Sequence, residues 1–267
     1  VWLCASEGDV RQAFASELGK RNIENNINYK LVVMQCFIGE EWVVNTVSLG
    51  GQHKVTDIWR GPSKMQTKGG NGPRSFIYDV QFLAGLSAES SAIAHFTFAV
   101  LDTLELTAGA AHTELVCCNG QPYLLEVNPR CAGGLPRAPH SLNQLDVLAM
   151  SLFDPTAFEA LPQLPQQSAE NSAAVVFLQA PFDGWLSSEG LASFAALPTF
   201  SHFDKGLLGV EGPPFSAHPV METTGYLSLP GCVVLQGEPA TVMEDVERVR
   251  SIEAHAYTRE ASREQGQ

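Results

Sequence analysis

The chain has 267 residues, 45% hydrophobic and 17% charged, enough apolar material for one large domain or two small ones. Its net charge of −13 argues against nucleic acid or an anionic membrane as partner. No apolar run approaches a membrane span and no signal peptide is recognisable, and six cysteines without CxxC spacing read as reduced thiols of a cytoplasmic protein.

In chain order, Asp9 is placed to cap a helix reaching about Arg21, with Val10, Ala13, Phe14 and Leu18 on one face. Strands near 31–38, 41–49 and 52–60 form a meander, with Gly50-Gly51 turning the second hairpin. Residues 61–75 are rich in Gly, Pro, Lys and Ser and read as a loop. Its Lys64, Lys68 and Arg74 either reach an anionic ligand or are simply solvated. A long helix is expected over roughly 87–106 and another over 142–153. Residues 154–172 carry prolines, glutamines and small polar residues without period, as a linker does. Beyond it come the strand-like AAVVFLQAP, a short helix near 188–197 and the strand GCVVLQG. A last helix starts at Glu238-Pro239 with Val242, Val246, Val249 and Ile252 on one stripe. The tail after Tyr257 is polar.

The stretch His112–Gly134, HTELVCCNGQPYLLEVNPRCAGG, gathers chemistry. Asn119-Gly120 favours positive φ and closes a hairpin between two apolar runs. Alternation then points Glu126, Asn128 and Arg130 to one side, and His112 and Glu114 share a side on the partner strand. Register decides whether the glutamates meet. A plain two-residue turn pairs Glu114 with Leu125 and separates them, whereas a three-residue connection or one bulge sets them side by side. Together with the Asn128 carbonyl they would make an oxygen-only set suited to Mg²⁺ or Mn²⁺. A solvated surface hairpin is the plainer alternative. Against it, Glu126 interrupts an apolar strand, Pro129 limits that strand to an edge or an end, and Gly133-Gly134 permits close backbone approach.

Glu114, Glu126-Val-Asn128-Pro-Arg130 and Gly133-Gly134 resemble the metal-binding signature of the ATP-grasp superfamily. Residues 31–60, LVVMQCFIGEEWVVNTVSLGGQHKVTDIWR, resemble its adenine-binding hinge and following hairpin, with Gly39-Glu40-Glu41 as the step after the hinge. The resemblance implies an α+β fold, the C-terminal half of an ATP-grasp domain (an antiparallel sheet with helices) followed by a small antiparallel C-terminal lobe. It divides the chain into a partial ATP-grasp domain over 1–155, a linker over 156–172, a lobe over 173–257 and a flexible tail over 258–267.

By that resemblance Glu114, Glu126 and Asn128 hold Mg²⁺ (or Mn²⁺) against the phosphates of ATP, and Arg130 is the catalytic residue that stabilises the transferring phosphoryl group. Glu41 accepts from the ribose. Gln35, Cys36 and Phe37 lie in the hinge, although this chain reads Met34-Gln35-Cys36 where many members carry an acidic residue. Val116 packs on the adenine, with ordinary core as the alternative for it and for Phe37. His112, Arg74, Gly133 and Gly134 are candidate substrate or phosphate contacts, while a buried, hydrogen-bonded histidine is an equally simple account of His112.

Cys131, beside the signature arginine, reads as structural in preference to a nucleophile, since no base is placed for it. The lysine-bearing strand and glycine-rich loop that precede this segment in the family are missing, and the chain starts without methionine. The expectation is therefore the C-terminal portion of a larger enzyme, inactive alone. The implied reaction is ADP-forming carboxylate–amine ligation through an acyl-phosphate on small amino-acid-like substrates; a homodimer is left open. A biotin carboxylase-like enzyme is disfavoured because Cys131-Ala132-Gly133-Gly134 lacks the glutamate expected there. A non-catalytic nucleotide-binding remnant is the third reading.

Overall fold

The computed structural model describes residues 2–22, 25–61, 64–66, 76–133, 142–165, 172–205, 216–225 and 228–259. Lys68, Arg74, Gly134 and the 135–140 stretch lie outside them, as does the Lys64 side chain. Among the described residues the helices are α1 (Glu7–Glu17), α2 (Ala88–Thr103), α3 (Gln144–Phe153), α4 (Pro155–Ala160), α5 (Ser188–Ala195) and α6 (Pro239–Glu253). The strands are β1 (Glu40–Leu49), β2 (Gln52–Gly61), β3 (Lys64–Gln66), β4 (Phe76–Tyr78), β5 (Val80–Leu83), β6 (Gly109–Cys118) and β7 (Gln121–Asn128), then β8 (Ser172–Phe177), β9 (Gly184–Leu186), β10 (Phe200–Asp204), β11 (His218–Val220), β12 (Cys232–Gly237) and β13 (Tyr257–Thr258).

The expected β1–β2 hairpin, the α2 and α3 helices, β8, β12 and α6 all form close to their anticipated bounds. Three local expectations are corrected. Ser6, not Asp9, caps α1: Ser6 Oγ accepts from Asp9 N, and the Asp9 carboxylate answers to Ser6 N, a reciprocal box. That helix stops at Glu17 because Leu18 turns extended and Gly19 takes φ +77°. Residues 31–38 are not a strand; no neighbouring strand among the described residues offers them a ladder, and Val32, Val33, Met34 and Ile38 stay exposed. Within the expected linker, Asp154 accepts from Ala157 N and Pro155 takes the first helical position, which starts α4.

Eight strands form one sheet in the order β10-β12-β8-β5-β2-β1-β6-β7, and its described pairs are antiparallel. Residues directly opposite in a ladder share a face. On one face, Val43, Trp59, Ala173, Val175, Phe177, Cys232 and Val234 form a cluster with Ile77, and α3 and α4 pack beside it through Val147 and Phe158 onto Val47 and Ala110. On the other face α2 covers Trp42, Val44, Ile58 and Leu115, and α6 covers Ala174, Val176, Val233 and Leu235 through Val242, Val246 and Val249. Fully burying side chains the size of Trp59 or Leu115 contributes about 2–3 kcal/mol each. The sheet is therefore a stiff platform whose β1–β6–β7 end carries the polar residues.

Candidate active site

The turn between β6 and β7 is the two-residue Asn119-Gly120, with φ +52° and +76°, the primed geometry that matches strand twist. Left alone, that turn would separate the glutamates. A bulge intervenes: Leu115 pairs with Leu124 while Glu114 pairs with Glu126, so Leu125 is the extra residue. His112 pairs with Asn128 in the same register. The structure thus brings Glu114, Glu126, Asn128 and His112 onto one face, as the bulged alternative required. Asn128 Nδ2 donates to Glu126 Oε1 at 2.7 Å, and His112 Nε2 lies 3.4 Å from Glu114 Oε1.

The neighbouring β1 extends this block. Glu41 faces Val116, Val43 faces Glu114 and Asn45 faces His112. Val116 is buried, so it lies at the floor of the face with Glu41 beside it. Phe37 stacks on Tyr123, ring centroids 4.3 Å apart, while Gln35 and Cys36 are exposed. Gly39 is required where it stands: a Cβ there would come within 2.2 Å of the Cys117 carbonyl oxygen.

Arg130 follows β7 on an exposed bend. Its N donates to Asn128 O at 2.8 Å and its Nη1 to Cys131 O at 3.0 Å, so in this conformation the guanidinium addresses backbone. Cys131 packs with the cluster under α3, and burial pushes its thiol up. Gly133 is exposed, and a Cβ there would make only an ordinary contact of 3.9 Å with Arg130.

Several residues of this region escaped the sequence. Tyr78 hydrogen-bonds to Glu114, and burial together with Glu114, Glu41 and Glu126 drives its hydroxyl far above its ordinary range. Nothing in FIYDVQF marks it. Asn45 and Asp57 were findable as polar interruptions of apolar strands. Asp57, fully buried, accepts from Asn45 Nδ2, from Trp59 Nε1 at 2.7 Å and from Thr56 Oγ1 at 2.8 Å. Burial raises its carboxyl, and those donors and His112 oppose the rise. Asn45 Oδ1 in turn lies 2.8 Å from His112 Nδ1.

Two carboxylates and an amide on one face suit a hard divalent cation. Among the described residues no three His, Cys, Asp or Glu side chains stand ready as a metal cage; Glu126 is turned toward Asn128 and would have to rotate toward Glu114. No helix among the described residues is long and apolar enough to cross a membrane.

No family model matches the chain. Dapdiamide A synthase of Enterobacter agglomerans is 26% identical over 268 residues, covering 96% of this chain and 59% of that protein. L-amino acid ligase from Bacillus licheniformis superposes at a TM-score of 0.54 with 18% identity, over 81% of this chain and 50% of that one. The ADP complex of N5-carboxyaminoimidazole ribonucleotide synthetase gives 0.52 and 18%, over 95% of this chain and 57% of that one.

The chain has the ATP-grasp fold. Its α+β architecture, an antiparallel sheet flanked by helices, is the one shared with these ATP-grasp structures. It spans between 50% and 59% of the length of the relatives it matches. Their names are those of a synthase, a ligase and a synthetase.

Proposed function

We propose that this chain is the metal-bearing part of an ATP-dependent carboxylate–amine ligase whose complete protein joins an amino-acid-like carboxylate to an amine, forming ADP. The observation that carries the reading is the bulged hairpin, which sets Glu114 against Glu126 with Asn128 alongside. Likeness to dapdiamide A synthase and to an L-amino acid ligase supports it.

In this reading Glu114, Glu126 and the Asn128 carbonyl hold a divalent cation. A cation held there would neutralise charge on the phosphates of ATP, and the protein's share is positioning. Tyr78 fixes the Glu114 carboxylate by donating to it. Arg130 leaves its backbone partner and pairs with the transferring phosphoryl group, a charge-assisted contact suited to its planar fork. Val116 supplies an apolar floor for the base, Phe37 and the exposed 35–36 backbone flank it, and Glu41 accepts from the ribose. His112 and Gly133 border the acyl end, and Arg74 and Gly134 are proposed as further substrate or phosphate contacts. The acyl-phosphate would be attacked by the amine with loss of phosphate. We read residues 173–257 as the lobe beside the site, and the protein as cytoplasmic.

The test is ADP release by the full-length protein across pairs of amino acids. Glu126→Gln is expected to abolish turnover while circular dichroism stays unchanged, because a neutral amide cannot replace a carboxylate ligand. Undiminished turnover in that variant would remove the metal assignment.

A further inference from the structure

We propose that Tyr123 is a positioning residue for the nucleobase: its ring holds Phe37, and with it the hinge backbone, against the β6–β7 hairpin. This rests on the nucleotide reading above. The turn places Tyr123. Asn119-Gly120 sets Cys118 opposite Gln121 and Val116 opposite Tyr123, and directly opposed residues share a face. Tyr123 therefore stands on the face of Val116 and Glu114, at the end where Val116 would floor the base. There its ring stacks on Phe37, with centroids 4.3 Å apart and planes 19° from parallel.

The residues just before Phe37 have little to lean on. Positions 32–36 are all exposed, and Phe37 is the first side chain after them to be partly buried. The next two residues are tied to the same hairpin. Cys118 Sγ donates to Ile38 O at 3.1 Å, and a Cβ on Gly39 would stand 2.2 Å from the Cys117 carbonyl oxygen. Glu40 then enters the ladder opposite Cys117. These contacts hold the backbone from Ile38 onward, and the Phe37–Tyr123 stack extends the hold toward Gln35 and Cys36. A stacked aromatic pair has a specific geometry, so Tyr123 fixes where the hinge backbone meets the base. That matters because Met34-Gln35-Cys36 offers no acidic side chain: recognition falls to backbone groups, which act only where they are held. The competing account is a surface aromatic pair with no bearing on the nucleotide.

Calorimetric titration of the full-length protein with ADP separates the two. Tyr123→Ala and Tyr123→Leu are expected to weaken ADP binding about three- to tenfold, the range of an aromatic pair. Tyr123→Phe, which keeps the ring, is expected to bind ADP as the wild type does. In ADP release with an accepted pair of amino acids, the loss should appear in KM for ATP with kcat unchanged. Wild-type affinity in Tyr123→Ala, or equal losses in Tyr123→Ala and Tyr123→Phe, overturns the proposal and leaves the nucleotide reading standing. A fall in kcat with KM unchanged overturns it too. Failure of the wild-type protein to bind ADP overturns both readings.

Discussion

Asp57 illustrates how an antiparallel sheet tolerates a buried charge: it is surrounded by three side-chain donors, of which Thr56 Oγ1 also reaches Asn45 O at 3.2 Å. Truncating it leaves Asn45 Nδ2 and Trp59 Nε1 to find new partners in a closed interior, while Thr56 Oγ1 keeps Asn45 O. We expect Asp57→Ala to lower unfolding free energy by about 3 kcal/mol, read from urea denaturation; a loss below about 1 kcal/mol would mean the pocket rehydrates. Glu253 makes a different case. Burial raises its carboxyl above the ordinary 4.5 despite Arg250 beside it. The neutral form is thus favoured in the folded state, so its contribution is complete below pH 4.5 and is lost as pH rises through the raised value. The stability difference between wild type and Glu253→Gln should therefore move in favour of the variant from pH 4.5 to 7. A difference that stays flat across that range would contradict the assignment.

At the level of elements, the β6–β7 hairpin shows what was and was not legible. Turn, strands and the identity of the polar residues all lay in the sequence. Register did not, because Leu124 and Leu125 are equally apolar and nothing local says which one is the extra residue. Leu115 and Leu124, in the cluster beneath α2, still hold the register set by the turn, and the offset begins only at the next residue. Deleting Leu125 should give a regular ladder in which Glu126 still stands directly opposite Glu114, on the same face. The expected outcome is a folded protein by circular dichroism with Mn²⁺ affinity retained; lost affinity would show that the local twist of the bulge, and not the pairing alone, aims Glu126. Tyr78 and the short strands β9, β11 and β13 were illegible for another reason. Elements of two or three residues are too brief to display a period, and their pairing depends on partners far along the chain.

Across the whole molecule, the late strands β8, β10 and β12 continue the sheet begun by β1 and β2, through the β5–β8 ladder. One arginine fastens this junction. Arg250 on α6 donates to Asp79 through both carboxylate and carbonyl oxygens, to Phe177 O at 3.1 Å and to Glu253 Oε2 at 2.6 Å. Its loss would strand partly buried carboxylates, and Arg250→Ala is expected to cost about 3 kcal/mol, checked by thermal denaturation at two salt concentrations. A small shift would mean that the apolar contacts of α6 carry the junction alone. The apolar run at 31–38 misled because alternation reports suitability for a ladder, not the presence of a partner.

The bulge at Leu125 reaches beyond the glutamates. β7 is the outermost strand at its end of the sheet among the described residues, and an open strand edge invites a second chain to add to it. Here Pro122 and Pro129 lack amide hydrogens at either end, and the extra residue breaks the regular spacing between them. The irregularity that aims one carboxylate also makes this border a poor template for self-association.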